Sequence, residues 1–309
     1  MKLIKPSYSI IEPTGYTIDD IYKSIELAGK VSHKSEHTIK EDSAKNFVER
    51  IINWGHNSCL EFGTVYLQFF WPGTVCQKCN QVAPHKLLNK YTDNEYSRVN
   101  YHGNDVYVTT NMRVLIENNW LDDLKYLCEP TEYHEKRICV KFICDRAIAN
   151  EFVRHRKFSF LQESTRYCNY SKGKFNGELT FIKPCWVDEN NFPKGTNHVK
   201  DDWGSLFCEF YYESTEKGKN DGVIVSPERN FLFSLQASEQ LYFSLLKNGW
   251  KPEQARSILP LSLKTELYMC GFAEDWKKFL ELRCASNAHP QSRELAIPLK
   301  EEFTKRKFI

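Results

Sequence analysis

Apolar positions along the chain recur at two periods, and each period marks a different kind of element. From Thr17 to Lys30, Ile18, Ile21, Ile25 and Leu27 return at near-helical spacing behind a threonine followed by acidic residues, the signature of a helix start. A second helix is expected over 41–54, with Phe47, Ile51 and Ile52 facing inward, and another over 112–127. The stretches TVYLQFFW (64–71), DVYVTTN (105–111) and RICVKFIC (137–144) are rich in β-branched and aromatic residues and read as strands. MKLIKPSYSIIEP reads as a first strand, and ELTFIKPCW (178–186) as a short one. After 144 the spacing turns helical, with Ile148, Phe152 and Val153 as the inward face; the chain then passes into what reads as a loop. Further helices are expected near 231–247 and 252–269, and EDWKKFLELR (274–283) sets Trp276, Phe279, Leu280 and Arg283 on one face. Residues 72–104 are polar and turn-rich, and 187–204 are loop-like. Strands and helices interleave without a regular βαβ rhythm, so the expected class is α+β and not a doubly wound sheet.

Charged residues make up 27% of the 309 positions and are mixed in sign, while hydrophobic residues at 41% suffice for a globular core, so disorder is not indicated. With no internal repeat or evident linker, one domain over 1–309 is expected. A formal net charge of +2 gives no long-range attraction for nucleic acid, so any anionic ligand must be held by a local cluster. The cysteines, 11 and irregularly spaced, point to buried thiols in a reducing compartment more than to a disulfide framework. No apolar run has signal-peptide or membrane-spanning length, and the expected location is the cytoplasm.

Cys76 and Cys79, with His85 after them, form half of a zinc site by spacing but lack a second close pair, so thiols packed beside a strand are the preferred reading and no metal is expected. His33 and His37 lack a third ligand and read as solvent-exposed. Cys185, between Pro184 and Trp186, reads as a buried structural cysteine: a Pro-Cys nucleophile occurs in the cysteine-dependent thymidylate synthases, but there histidine follows. Neither a Rossmann fingerprint, a P-loop nor a nucleophile elbow is present.

The chemistry concentrates in RHRKFSFLQESTRY, residues 154–167. Arg154, Arg156, Lys157 and Arg166 face the single carboxylate of Glu163, and Ser164 and Thr165 lie between them. Guanidinium forks bind phosphate bidentately and also meet nucleobase edges, so this excess of cations asks for an anionic partner. The blander reading is an exposed basic helix end, favoured by the helix dipole.

Arg154-His155-Arg156, seven residues, Ser164, then Thr165-Arg166-Tyr167 resembles the R-H-R-x7-S signature of the flavin-dependent thymidylate synthases. Gly55 to Phe62 is similar to that family's G-H-x-[ST]-x-x-E-H segment, with Phe62 in place of histidine. Ala255 to Pro260 resembles A-R-x-x-L-P; Phe279 to Arg283, followed by Ala288 to Gln291, resembles F-x-x-L-R and A-[QH]-x-E. Residues 66–136 and 176–230 look like expansions. The resemblance implies a mainly antiparallel sheet packed with helices, a homotetramer with active sites between subunits, FAD as cofactor, NADPH and 5,10-methylenetetrahydrofolate as co-substrates, and conversion of dUMP to dTMP with release of tetrahydrofolate. It further implies that Ser58, Arg154, His155, Arg156, Gln162 and Lys278 meet the flavin. Glu151, Arg154, Gln162, Glu163, Ser164, Thr165, Arg166, Arg256 and Arg283 would line dUMP, with Arg283 polarising the uracil. Leu161-Gln162 stand where compact members have Asn-Glu, and Phe272 and Lys278 stand where they have asparagines near the flavin. A rival reading, a single-stranded nucleic-acid module, would use the same cations on phosphates while Phe158, Phe160 or Tyr167 stack on bases.

Overall fold

The computed structural model describes residues 1–70, 85–188 and 227–309; Cys76 and Cys79 lie outside them. The chain packs as two compact units, a smaller one of Met1–Lys5 with Asn169–Leu263 and a larger one of Pro6–Cys168 with Lys264–Ile309.

The larger unit is built on a four-stranded antiparallel sheet in the order β2 (Ser7–Ile11), β6 (Arg137–Asp145), β9 (Lys264–Phe272), β7 (Ser159–Gln162). Strand alternation sends Val140, Phe142, Leu267 and Met269 to one face, where α5 (Arg146–Phe152), α8 (Ala273–Arg283) and α9 (Pro290–Lys305) cover them with Phe152, Trp276, Phe279, Leu299 and Phe303. Full burial of each such side chain contributes about 1.5–3 kcal/mol, and the Trp276 indole N–H donates to the Ile138 carbonyl at 3.0 Å, so the ring is buried without an unmet donor. The opposite face turns Cys139, Tyr268 and Cys270 toward Ala28 and Val31 of α1 (Ile18–Val31) and toward Phe62.

Helix α1 begins as its sequence requires: the Thr17 hydroxyl accepts from the Asp20 N–H, and the Asp20 carboxylate accepts from the Thr17 N–H in return. Ile21 and Ile25 are buried, whereas Ile18 is exposed. Helix α2 (Ser43–Asn53) buries Phe47 and Ile51. These helices and α4 (Met112–Glu117) enclose a second core with a three-stranded antiparallel sheet, β3 (Thr64–Phe70), β5 (Asp105–Asn111) and β4 (Arg98–His102). Most of this sheet thus comes from the expected expansion at 66–136. Strand β4 and α3 (His85–Thr92) both arise from the stretch read as turn-rich. The helix expected over 112–127 divides at Asn119, whose φ of 59° no α-helix accommodates, and resumes as a 3-10 turn at Leu121–Tyr126.

The main correction concerns 252–269. The expected helix is only α7 (Pro252–Ala255) and a 3-10 turn, Arg256–Ile258; β9 follows and becomes an inner strand of the main sheet. Every residue of β9 after Lys264 is buried, so both faces are covered and the polar–apolar alternation that marks a strand is muted. Likewise the segment read as a loop after Arg156 contains β7, paired to β9 with Ser159 opposite Cys270. Val153 is exposed and does not join Ile148 and Phe152 in the core.

In the smaller unit, β1 (Lys2–Ile4) and β8 (Thr180–Ile182) pair in parallel, and Glu239 on α6 (Pro227–Lys247) accepts from the Leu179 N–H at 2.8 Å. Arg256 belongs to this unit, at the C-cap of α7. Cys185 is exposed, against expectation: it lies after β8, beyond Pro184, where the chain leaves the sheet. No helix among the described residues is long and apolar enough to cross a membrane.

Candidate active site

Helix α5 positions the basic segment. Asp145 caps it by accepting from the Ile148 N–H at 2.7 Å, and its second oxygen accepts from Gln291 at 2.6 Å. Burial of Ile148, Ala149 and Phe152 fixes the helix against the core. Glu151 is only partly covered, and Arg154, just past the helix end, is exposed. Helix α8 arrives from β9 with Trp276, Phe279 and Leu280 in the same core, and Arg283 emerges from its last turn.

The two helix ends meet through Arg283. Its Nη1 donates to Glu151 Oε2 at 2.7 Å, its Nη2 to the Glu151 carbonyl at 2.6 Å, and its Nε to His155 Nε2 at 3.1 Å. The guanidinium lies over the Phe152 ring at 5.7 Å. A guanidinium carries more N–H donors than these three bonds use, so Arg283 is oriented without being saturated. The bond to Nε2 requires an unprotonated nitrogen there, so His155 carries any ring proton on Nδ1. Burial, and then the charge of Arg283, holds its pKa down at about 4. Its ring meets Phe279 edge-on at 4.8 Å. The positive charge of Arg154 also reaches Arg283, whose ion pair is with Glu151 alone among the described residues.

Arg154, Arg156, Lys157 and Arg166 are all exposed, and none has an ion-pair partner among the described residues. The loop after β7 is tied down by its backbone: the Ser164 N–H donates to the Ser32 carbonyl at 3.0 Å, and the Arg166 N–H donates to Ser164 Oγ at 3.3 Å. Thr165 is buried, Arg166 lies over the Tyr167 ring at 5.1 Å, and Tyr167 stacks on His33 at 4.5 Å.

Other expected site residues have different neighbours. Gln162 Nε2 donates to Thr265 Oγ1 at 3.2 Å. Glu163 is buried, with its carboxylate 2.7 Å from Lys264 Nζ. Lys264 also reaches Glu266 at 3.0 Å, and Lys34 and Lys141 complete the ring around that carboxylate at 2.5 and 2.9 Å. Burial alone would raise the pKa of Glu266, but Lys264, Lys34 and Lys141 outweigh it and hold it down at about 2. Lys264 and Glu266 escape a sequence reading because they fall within the segment taken for helix; in a strand, positions 264 and 266 share one face, which a strand assignment would have exposed. Ser58 is exposed on a 3-10 turn, Asn57–Phe62, which Arg137 ties to β7 by donating to the Glu61 carbonyl at 2.8 Å and to Ser159 Oγ at 3.1 Å. Lys278 is exposed and 3.6 Å from Glu274, on a different side of α8 from Arg283. Phe158, a stacking residue in the rival nucleic-acid reading, is buried with its ring 4.8 Å from Trp276 and has no face to offer a base.

The family model for Thy1, thymidylate synthase complementing protein, matches residues 129–306, more than half of the chain, including the basic segment, Arg256 and Arg283. The chain belongs to the Thy1 family. Among Thy1 relatives, the flavin-dependent thymidylate synthase of Synechocystis sp. is 32% identical over 160 residues, which cover 52% of this chain and 62% of that protein. The probable flavin-dependent thymidylate synthase of Paramecium bursaria Chlorella virus 1 is 29% identical with the same coverage. The chain thus spans less than two thirds of the length of these relatives. Among solved structures, the UMP/dUMP methylase PolB of Streptomyces cacaoi aligns over 99% of this chain and 92% of its own, at 14% identity and a TM-score of 0.41.

The donor set fits a flavin dinucleotide. Arg154, Arg156 and Lys157 offer exposed cations, unneutralised by any acid among the described residues, for a diphosphate, and His155 adds a neutral ring between them. No group of three or more His, Cys, Asp or Glu side chains that could hold a metal occurs among the described residues.

Proposed function

We propose that the chain is a flavin-dependent thymidylate synthase. It methylates dUMP reductively to dTMP, takes the carbon from 5,10-methylenetetrahydrofolate and the reducing equivalents from NADPH through FAD, and releases tetrahydrofolate. The observation that carries this reading is Arg283, gripped by Glu151 and His155 at the foot of the basic segment with donors to spare.

Bound FAD supplies the reducing equivalents that turn the transferred carbon into a methyl group. The work of the chain is to place and polarise the nucleotide. Arg283 turns its remaining N–H groups to the O2–N3 edge of uracil and stabilises negative charge there, which makes C5 nucleophilic without a thiol adduct. Glu151 fixes the angle of that guanidinium. His155, by remaining neutral, avoids a third positive charge beside Arg154 and Arg283. Arg154, Ser164, Thr165 and Arg166 bind the nucleotide, with Arg166 on its phosphate; Gln162 and Glu163 hold that loop in shape through Thr265 and Lys264. Arg156 and Ser58 belong to the flavin contacts, and Lys278 reaches the flavin by leaving Glu274. The working assembly is a homotetramer in the cytoplasm, with active sites between subunits.

Binding tests this reading. Purified with FAD, the protein is expected to be yellow and to bind dUMP with an affinity that a single-stranded oligonucleotide does not compete away. A protein that cannot be loaded with flavin and instead binds single strands with a steep salt dependence contradicts it.

A further inference from the structure

A cavity of about 750 Å³ lies in the larger unit on the α1 side of the main sheet, away from Glu151, His155 and Arg283. Its wall includes two cysteines from neighbouring strands, Cys139 of β6 and Cys270 of β9, together with Arg137, Thr64, Tyr66 and Tyr268. Cys139 and Cys270 are register partners, and their side chains share one face of the sheet. Directly opposed residues of an antiparallel pair have Cα atoms about 4.5–5.5 Å apart. Protein disulfides take Cα separations of roughly 4.4–6.8 Å, so the backbone already holds this pair at bonding range. No disulfide joins them in this structure.

We propose that Cys139 and Cys270 form a redox-active dithiol that a hydroperoxide entering this cavity oxidises to a cross-strand disulfide.

The surroundings divide the labour between the sulfurs. Interaction with the Cys139 thiol, the charge of Arg137 and the Thr64 hydroxyl favour the Cys270 thiolate against burial, while Cys139 is held protonated. Arg137 Nε is buried without a hydrogen-bond partner, a donor left over beside a site that develops negative charge. Cys139 is the more exposed of the two. In the first step the Cys270 thiolate attacks an oxygen of the hydroperoxide; the O–O bond breaks, an S–O bond forms, and the leaving alkoxide takes a proton to become an alcohol, or water from hydrogen peroxide. Cys139, giving up its proton, then attacks the sulfenic sulfur; the S–S bond forms and the S–O bond breaks, releasing water. Two thiols lose two electrons and two protons, and the peroxide is reduced by the same two electrons. The reaction uses neither the nucleotide nor the flavin.

The test treats the full-length protein with near-stoichiometric hydrogen peroxide, blocks remaining thiols with an alkylating reagent, and maps the cysteines by peptide mass spectrometry. A Cys139–Cys270 cross-linked peptide, cleaved by dithiothreitol, is expected to form at least about tenfold faster than alkylatable Cys144 is lost, since Cys144 is buried in the other core and its thiol is pushed up by that burial. In Cys139→Ser, Cys270 is expected to stop at a sulfenic acid trapped by dimedone. Should the wild-type pair stay alkylatable while other cysteines oxidise, or should Cys139→Ser carry no dimedone on Cys270, the proposal is overturned. The wild-type map alone decides if the variant does not fold.

Discussion

Replacing Arg283 by alanine removes the guanidinium and leaves its neighbours in place. Three hydrogen bonds disappear, two of them to Glu151 and one to His155. Glu151 retains 31% of its side-chain exposure and can rehydrate, so the stability loss is expected to be modest, about 1–2 kcal/mol. The catalytic loss is expected to be larger. A preorganised donor aimed at developing negative charge is worth roughly 2.7–4 kcal/mol, a fall of about 10²–10³-fold in kcat. The assay is dTMP formation under anaerobic conditions at saturating dUMP, with circular dichroism and flavin absorbance confirming that variant and wild type are equally folded and loaded. Arg283→Lys should recover only a fraction, because an ammonium cannot hold Glu151, His155 and a planar base edge together. A folded, flavin-loaded Arg283→Ala with kcat within about twofold of wild type would refute the role given to this residue.

Four further outcomes follow from the geometry. Because the His155 pKa falls from 6.5 to about 4 on folding, the unfolded chain binds more protons between those values, and the stability tied to the neutral ring is complete above 6.5 and lost as pH drops toward 4; the acid limb of activity attributable to His155 should centre near 4, and a midpoint near 6.5 would contradict its burial beside Arg283. Glu266→Gln leaves Lys34, Lys141 and Lys264 without their shared counter-ion and should cost about 3–5 kcal/mol in urea unfolding, and in the wild type the same contribution should fade as pH falls from 4.5 toward 2; a shift below about 1 kcal/mol would mean the lysines are fully solvated. Gly271→Ala would drive a methyl into the Phe158 ring, so a loss of about 1–3 kcal/mol is expected in thermal unfolding, with no loss if the ring can move aside. Cys185→Ser should keep near-normal turnover, since the exposed thiol has no step to perform; abolished turnover in a folded variant would revive a covalent cysteine mechanism.

Elements that face solvent on one side were readable because solvent imposes a period. Thr17 and Asp20 announce α1, and the change from RICVKFIC to the spacing of Ile148 and Phe152 marks the passage from β6 to α5. Strand β9 was hidden because both of its faces are buried, and β7 because its four residues are too few to show a period of two. The C-terminal helix α9 carries Pro298 in its interior, which weakens any helical signal there. For the candidate site, the family-like segments singled out Glu151, His155 and Arg283 as candidates but not the bonds among them. Residues over a hundred positions apart reveal their contact only once α5 and α8 are seen packed on one face of the same sheet. The ring of lysines around Glu266 was invisible for the same reason, since Lys34, Lys141 and Lys264 come from three separate segments.

The central claim is that this arrangement of arginines serves reductive methylation of a pyrimidine nucleotide, and one reaction tests it most directly. The protein is incubated anaerobically with FAD, NADPH, 5,10-methylenetetrahydrofolate and dUMP, and both the nucleotide and the folate products are measured. The account predicts dTMP together with tetrahydrofolate, and no dTMP when FAD is withheld; dihydrofolate as the folate product, or no dTMP from a folded and flavin-loaded protein, would contradict it.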